Sequence, residues 1–166
     1  IYNFYFTDKC QLDISKFNLI EEYIIKNNIN IVINCAAYTK VEESEKNTKL
    51  ADLINHISVD NLAKICSKKQ IQLIHISTDY VFDGNKDNPY NETDKLNPIN
   101  FYGESKLKGE QKMMKYDLAR SIIIRTSWLY SNSQNNFVNK IMKKINFQSK
   151  VYVFADEIGS PTNAID

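Results

Sequence analysis

The chain alternates short apolar runs with longer amphipathic segments. Three apolar runs, rich in β-branched residues and of strand length, occupy residues 29–35, 71–77 and 121–126 and are predicted to be fully buried strands. Four segments with helical apolar spacing occupy residues 16–27, 49–68, 101–116 and 136–147. Ser15 is predicted to cap the first helix. Weaker patterns predict strands at residues 1–6 and 150–154, and a loop at 82–100.

Strands that alternate with helices predict a parallel sheet in an α/β fold, with helices on both faces. Ligands of such sheets bind beyond the carboxyl ends of the strands. Three segments fall there, and each contains small or hydroxyl side chains and an aromatic residue: residues 36–39, 77–80 and 126–130. They form the candidate ligand site.

The composition argues against nucleic-acid-binding and membrane proteins. The chain has 166 residues, which suits one domain, and its formal net charge of +1 argues against nucleic acid or an anionic membrane surface as partner. No apolar run approaches the roughly 18 residues of a membrane span. The cysteines, at positions 10, 35 and 66, match no metal-ligand spacing, so we expect no metal site and a reducing, cytoplasmic setting.

Tyr102 and Lys106 are four residues apart at the start of a predicted helix and therefore share one face. An ammonium beside a tyrosine favours the phenolate and lowers the tyrosine pKa, which prepares the ring for proton transfer. Tyr5 and Lys9 have the same spacing, but they start in a predicted strand, where residues four apart lie about 13 Å from each other.

Polar residues at the end of the second apolar run have two interpretations. Thr78 and Asp79 suit either a carbonyl-binding site or an ordinary polar strand terminus. His75 alternates with apolar neighbours and is interpreted as a hydrogen-bonded core histidine. Trp128, the single tryptophan, is either a core residue or a platform for a ligand.

Four motifs in this order resemble those of dTDP-4-dehydrorhamnose reductases, which are extended short-chain dehydrogenases/reductases. They are NCAAYT at residues 34–39, STDYVFDG at 77–84, YGESKLKGE at 102–110 and RTSWLY at 125–130. The resemblance continues through residues 135–137 and 159–162, and so covers nearly the whole chain. It implies a Rossmann-like, doubly wound sheet, with residues 1–166 as a single NAD(P)-binding domain that is incomplete at both termini.

The resemblance also implies roles for individual residues. Tyr102 would be the general acid that protonates the sugar oxygen as hydride reaches the 4-keto carbon. Lys106 would hold the nicotinamide ribose and lower the Tyr102 pKa, and Thr78 would bind the developing alkoxide. Asp79 and Trp128 would contact the deoxysugar.

The expected cofactor is NADPH, with NADH as the alternative. By the same resemblance, the residues that line its adenosine and ribose side are Asp13, Ile14, Ala36, Ala37, Tyr38 and Thr39, with Tyr102 and Lys106 at the nicotinamide end.

The chain also departs from the family pattern. The family begins with a strand and a G-x-x-G-x-x-G loop for the pyrophosphate, whereas the four glycines here are too far apart to form one. We therefore expect the family pattern to start upstream of Ile1 and a substrate-binding lobe to follow Asp166. Glu42, Gln134 and Glu157 also replace residues that are usual in the family.

The sequence thus predicts NADPH-dependent reduction of the 4-keto group of dTDP-4-dehydro-L-rhamnose to dTDP-L-rhamnose. The substrate is a nucleotide sugar, a homodimer is an open option, and the isolated chain is expected to be inactive. Three alternatives stay open: a reductase of another nucleotide-linked 4-keto-deoxysugar, a partner resembling the regulatory β subunit of methionine adenosyltransferase, and a non-functional remnant.

Overall fold

A computed structural model describes residues 3–116, 121–132, 136–148, 150–153 and 158–165. The chain divides into two compact units, residues 1–124 and residues 125–166. The assignment of the whole chain to one NAD(P)-binding domain stays a prediction.

The first unit contains β1, β2 and the first three residues of β3, in a sheet with strand order β1-β2-β3. The strands are β1 (Ile31–Asn34), β2 (Gln72–Thr78) and β3 (Ile122–Thr126). β1 and β2 run parallel, with Ile31 opposite Gln72 and Asn34 opposite His75. The predicted α/β class with a parallel sheet is therefore confirmed.

Helices connect these strands. Between β1 and β2 lie α2 (Val41–Ser44), α3 (Thr48–Asp52), a π-helical turn (Leu53–Ile57) and α4 (Ser58–Lys69). After β2 come a 3₁₀ turn (Asp79–Val81), a long loop and α5 (Phe101–Lys115), which leads to β3. The predicted helices at residues 49–68 and 101–116 and the loop at 82–100 are confirmed. The π-helical turn, which interrupts the first of these helices, was not predicted.

The core lies between the sheet and the helices α1 (Phe17–Lys26), α4 and α5. Val32 of β1, Leu73 of β2 and Ile123 of β3 point into this core. Its fully buried apolar members are Ile20, Ile24, Leu62, Ala63, Ile65, Cys66, Ile71, Leu73 and Met113.

The opposite face of the sheet is apolar and open in the described part of this unit. Ile31 and Ile33 of β1 are 42% and 55% exposed, and Ile122 and Ile124 of β3 are 47% and 41% exposed. Successive side chains of a strand point to opposite faces, so the helices on one face bury only alternate residues. The prediction that these strands are fully buried is wrong for β1 and β3.

Three local predictions are also wrong. Asn3–Phe6 is not a strand, and neither are residues 150–153; Phe154 lies outside the described residues. Ser15 does not cap α1: its hydroxyl donates to Asp13 Oδ1 (2.8 Å), and the helix begins two residues later. The short polar side chain of Ser15 bonds locally instead of reaching the helix.

The second unit contains a parallel pair, β4 (Leu129–Tyr130) and β5 (Thr162–Asn163), and the helix α6 (Phe137–Phe147). The side chain of Asn136 caps α6 by accepting a hydrogen bond from the Asn139 amide (2.9 Å). Among the helices described in both units, none is long and apolar enough to cross a membrane.

Candidate active site at the carboxyl end of strand β2

Tyr102 is held in place by the first turn of α5. Asn100 caps this helix, because its Oδ1 accepts a hydrogen bond from the Gly103 amide (2.8 Å). A Cβ at Gly103 would collide with the carbonyl oxygen of Tyr80, so glycine allows the helix to approach the end of β2. The Tyr80 ring then meets the Tyr102 ring edge-on, with 5.6 Å between centroids.

Thr78 is the last residue of β2 and is buried. Its hydroxyl donates to Asp79 Oδ1 (3.1 Å) and accepts from the Tyr80 amide (3.3 Å). It also lies close enough to the Tyr102 side chain to lower the pKa of that tyrosine. The structure therefore brings together Thr78, Asp79 and Tyr102, three residues that the sequence assigned to one site.

Burial raises the pKa of Tyr102 above its ordinary value, and nearby Asp79 and Tyr80 act in the same direction, while the hydrogen bond with Thr78 opposes them. The expectation that Lys106 lowers this pKa is not met, because the ammonium of Lys106 points into the sheet. A tyrosine with a raised pKa keeps its proton at neutral pH, which suits a proton donor.

Lys106 is only 1% exposed. Its Nζ donates to the backbone carbonyl of Ile76 (2.7 Å) and lies 3.4 Å from His75 Nε2. Burial lowers the pKa of Lys106 to about 8, although the charges of Glu110 and Cys35 oppose this effect. These contacts fix the side chain, and its pKa of about 8 lies only a little above neutral pH.

His75 is a fully buried histidine in a defined hydrogen-bond chain. Asn34 Oδ1 accepts from the Ala36 amide (3.1 Å), which fixes the Asn34 side chain so that its Nδ2 donates to His75 Nδ1 (3.0 Å). Burial, together with the charge of Lys106, lowers the pKa of His75 to about 3, so the ring is neutral at physiological pH.

The loop after β1 contains four of the predicted cofactor residues: Ala36, Ala37, Tyr38 and Thr39. It is fixed by Asn55 of the π-helical turn. Asn55 Oδ1 accepts from the Tyr38 amide (2.8 Å), and its Nδ2 donates to the Tyr38 carbonyl (3.0 Å) and to Ser105 Oγ (3.0 Å). One buried amide therefore joins the loop to α5. π-helical turns are frequent at functional sites.

Asp13 and Ile14 lie in the turn before α1. Asp13 accepts hydrogen bonds from the Ser15 amide and hydroxyl, and these bonds lower the pKa of its carboxyl. Ile14 packs against the main core. Since only four residues separate the end of α1 from the start of β1, the beginning of α1 lies toward the end of the sheet at which β1 ends.

Trp128 lies in the second unit. Its side chain is 42% exposed and its backbone has a φ of 45°, in the left-handed region. It contacts Phe137 at 6.4 Å between ring centroids, and a Cβ at Gly159 would collide with its indole. It is therefore not a fully buried core residue. Contact with a sugar stays a prediction.

Sequence reasoning missed three buried polar residues that organise the site: Asn34, Asn55 and Glu110. The available signal was a polar residue at an inward position of an apolar pattern. Asn55 lies among apolar residues of a predicted helix, and Glu110 follows Lys106 by one helical turn.

The parallel sheet, its helical crossovers and the buried tyrosine and lysine at a strand end define a Rossmann-like nucleotide-binding class. The model of the family described as RmlD substrate binding domain matches residues 2–166. The chain belongs to this family, and the resemblance to dTDP-4-dehydrorhamnose reductases is confirmed.

Individual relatives agree with this assignment. A dTDP-4-dehydrorhamnose reductase of Escherichia coli (strain K12) is 39% identical over 95% of this chain and 52% of its own length. A dTDP-4-keto-6-deoxy-D-glucose reductase of Streptomyces niveus is 36% identical over 93% and 54%. The crystal structure of a Bacillus anthracis dTDP-4-dehydrorhamnose reductase with NADP matches with a TM-score of 0.92 and 40% identity, over 98% of this chain and 57% of that one. The chain thus spans about half the length of the curated relatives it matches.

Proposed function

We propose that the complete gene product containing this chain reduces the 4-keto group of dTDP-4-dehydro-L-rhamnose to dTDP-L-rhamnose with NADPH. The observation that carries this proposal is the buried set of Thr78, Tyr102 and Lys106 at the carboxyl end of β2, in a chain of the dTDP-4-dehydrorhamnose reductase family. Family membership supports the reaction, and the geometry supports the roles of the three residues.

The residues after β1 fit a dinucleotide. Ala36 and Ala37 have the smallest side chains after glycine and leave their backbone accessible, and hydrogen bonds to Asn34 and Asn55 fix the loop in advance. We assign the adenosine and ribose side to this loop with Asp13 and Ile14, and the nicotinamide ribose to Tyr102 and Lys106. When bound, NADPH supplies the hydride. NADP in the Bacillus anthracis relative supports this choice.

The chain's own residues perform the proton chemistry. Tyr102 is protonated at neutral pH, because burial raises its pKa, and it donates its phenolic proton to the sugar oxygen. The Thr78 hydroxyl, which donates to Asp79 in this structure, turns its hydrogen toward the same oxygen as negative charge develops there.

The sugar of the substrate is assigned from two side chains and from the names of the relatives. Asp79 and Trp128 are assigned to the deoxysugar. A second candidate substrate is dTDP-4-keto-6-deoxy-D-glucose, because the Streptomyces niveus relative is named as a reductase of that sugar and is 36% identical to this chain.

The test is a steady-state assay of the complete gene product. NADPH oxidation is followed with each of the two dTDP-4-keto sugars, and the product is identified by mass spectrometry and NMR. We expect oxidation that depends on a dTDP-4-keto sugar, with the higher kcat/KM for dTDP-4-dehydro-L-rhamnose. No oxidation with either sugar by a folded protein would overturn the proposal.

A further inference from the structure

Strand β2 and helix α5 meet along a buried polar seam, made of His75 and Ser77 from the strand and Lys106 and Glu110 from the helix. All four side chains are buried, and Glu110 is completely so. Of these four side chains, only Lys106 takes part in the proposed reaction.

The seam has matching spacing on its two sides. Residues two apart in a strand point to the same face and are separated by about 6.6 Å, and residues four apart in a helix rise by about 6 Å. Lys106 therefore lies opposite His75, at 3.4 Å between Nζ and Nε2. Two residues further along β2 and four residues further along α5, the Ser77 hydroxyl donates to Glu110 Oε1 at 2.5 Å.

A carboxylate in this position is unfavourable for stability by itself. Charged side chains are almost never completely buried unless they are paired, because the charged form loses its hydration. An apolar residue at position 110 would fill the same helix–sheet interface without that cost. The Ser77 hydroxyl donates to the Glu110 carboxylate, and one helical turn away lies the Lys106 ammonium, whose charged form Glu110 favours.

We propose that Glu110 is a positioning residue of the active site, which holds Ser77, and with it the adjacent Thr78, against α5 and supplies the buried negative charge that keeps Lys106 an ammonium. This inference rests on the proposed function, because it assigns Lys106 and Thr78 a catalytic task. Glu110 itself acts through these neighbours.

The groups that face Lys106 come from three elements. β2 contributes the neutral ring of His75 and the carbonyl of Ile76, the loop after β1 contributes Cys35, and α5 contributes Glu110. Burial lowers the Lys106 pKa to about 8, and Glu110 opposes that effect. Without the carboxylate the pKa falls further, so that a large fraction of Lys106 is neutral at pH 7.

The test separates the charge of Glu110 from its hydrogen bond. Glu110→Gln keeps the size and an oxygen that accepts from Ser77 but removes the charge, whereas Ser77→Ala removes the hydrogen bond and keeps the charge. Glu104→Gln is the matched control, because Glu104 is an exposed carboxylate of α5 that pairs with Lys108. The readouts are the Lys106 titration by ¹³C NMR of the complete gene product, assigned with Lys106→Met, and the pH profile of kcat.

We expect Glu110→Gln to lower the Lys106 titration midpoint by roughly one pH unit and kcat at pH 7 roughly tenfold, with little change in KM. Ser77→Ala and Glu104→Gln should leave the midpoint in place. An unchanged midpoint in Glu110→Gln would overturn the inference. The NMR titration needs no substrate, so an inactive wild-type protein would contradict the proposed function alone.

If Glu110→Gln is too unstable for the titration, the thermal stability of variants tests whether Glu110 and Lys106 are paired charges. The expected cause of such instability is a buried ammonium that has lost its counter-charge. Adding Lys106→Met to Glu110→Gln should therefore recover most of the lost stability. A double variant no more stable than Glu110→Gln would overturn the pairing of the two charges.

Discussion

The ammonium of Lys106 donates a hydrogen bond to the backbone carbonyl of Ile76 at 2.7 Å. Ile76 lies two residues before Thr78 on β2, and Lys106 lies one helical turn after Tyr102 on α5. This bond therefore joins the strand that carries one member of the candidate catalytic set to the helix that carries the other two. The site is fixed by a backbone contact in the buried interior, where it is shielded from water.

The hydroxyl of Thr78 should be essential, and its methyl group should not be. Thr78→Val keeps the shape and removes the hydroxyl that reaches Tyr102 and, in our proposal, the substrate oxygen. We expect kcat to fall roughly 10²-fold or more, as for the loss of an oxyanion donor. Thr78→Ser, which keeps the hydroxyl, should stay within a few-fold of wild type. Near-normal turnover by the valine variant would remove Thr78 from the catalytic set.

Gly109 should tolerate no side chain. Alanine normally favours a helix by about 1 kcal/mol over glycine. Here a Cβ would collide with the carbonyl oxygen of Asn55, so α5 would be pushed away from the π-helical turn. We expect Gly109→Ala to lower the free energy of unfolding by about 1–3 kcal/mol in urea titrations. The control is Gln111→Ala, at an exposed position of the same helix. A stabilised Gly109→Ala variant would show that the close approach is wrong.

His75 should make the fold sensitive to acid. Its pKa is about 3 in the folded state against 6.5 as the ordinary value, so between these pH values only the unfolded chain binds the proton. The free energy of unfolding should then fall as pH drops from 6.5 toward 3, by up to about 1.4 kcal/mol per pH unit.

Urea unfolding at several pH values checks this prediction. His75→Gln should reduce the proton uptake on unfolding by about one in that range, while His56→Gln measures what the second histidine contributes. Equal slopes in wild type and His75→Gln would contradict the assignment of a buried, neutral His75.

The open apolar face of the sheet should govern the behaviour of the 166-residue chain by itself. Ile31, Ile33, Ile122 and Ile124 are exposed on this face, and the sequence has no glycine-rich loop for a pyrophosphate. We expect the purified chain to self-associate, to bind the dye ANS, to bind NADPH weakly and to show no reductase activity.

Light scattering, dye fluorescence and NADPH titration test these properties. Ile33→Thr with Ile124→Thr should reduce both dye binding and association, because it makes the open face more polar. A monomeric wild-type chain with tight NADPH binding would contradict this account.

The sequence predicted the elements that carry the site because their signals are local. β2 overlaps the apolar run predicted at residues 71–77, and α5 coincides with the helical apolar spacing at residues 101–116. The orientation of Lys106 was not predictable, because the carbonyl of Ile76 is 30 residues away and only the packing of α5 brings it close. The hydrogen bond between the Tyr38 amide and Asn55 was not predictable either, because the two residues are 17 positions apart in the sequence. Periodicity shows which face of an element is buried, but not which polar atoms meet there.

The central claim is that Tyr102 donates the proton in a ketone reduction, and single-turnover NADPH oxidation tests it most directly. The complete gene product, in its wild-type and Tyr102→Phe forms, is mixed with NADPH and dTDP-4-dehydro-L-rhamnose, and the loss of NADPH absorbance is followed. Phenylalanine keeps the ring packing against Tyr80 and removes only the hydroxyl. We predict that the rate falls roughly 10²–10⁴-fold, with substrate affinity nearly unchanged. A Tyr102→Phe variant that oxidises NADPH within a few-fold of the wild-type rate would contradict the account.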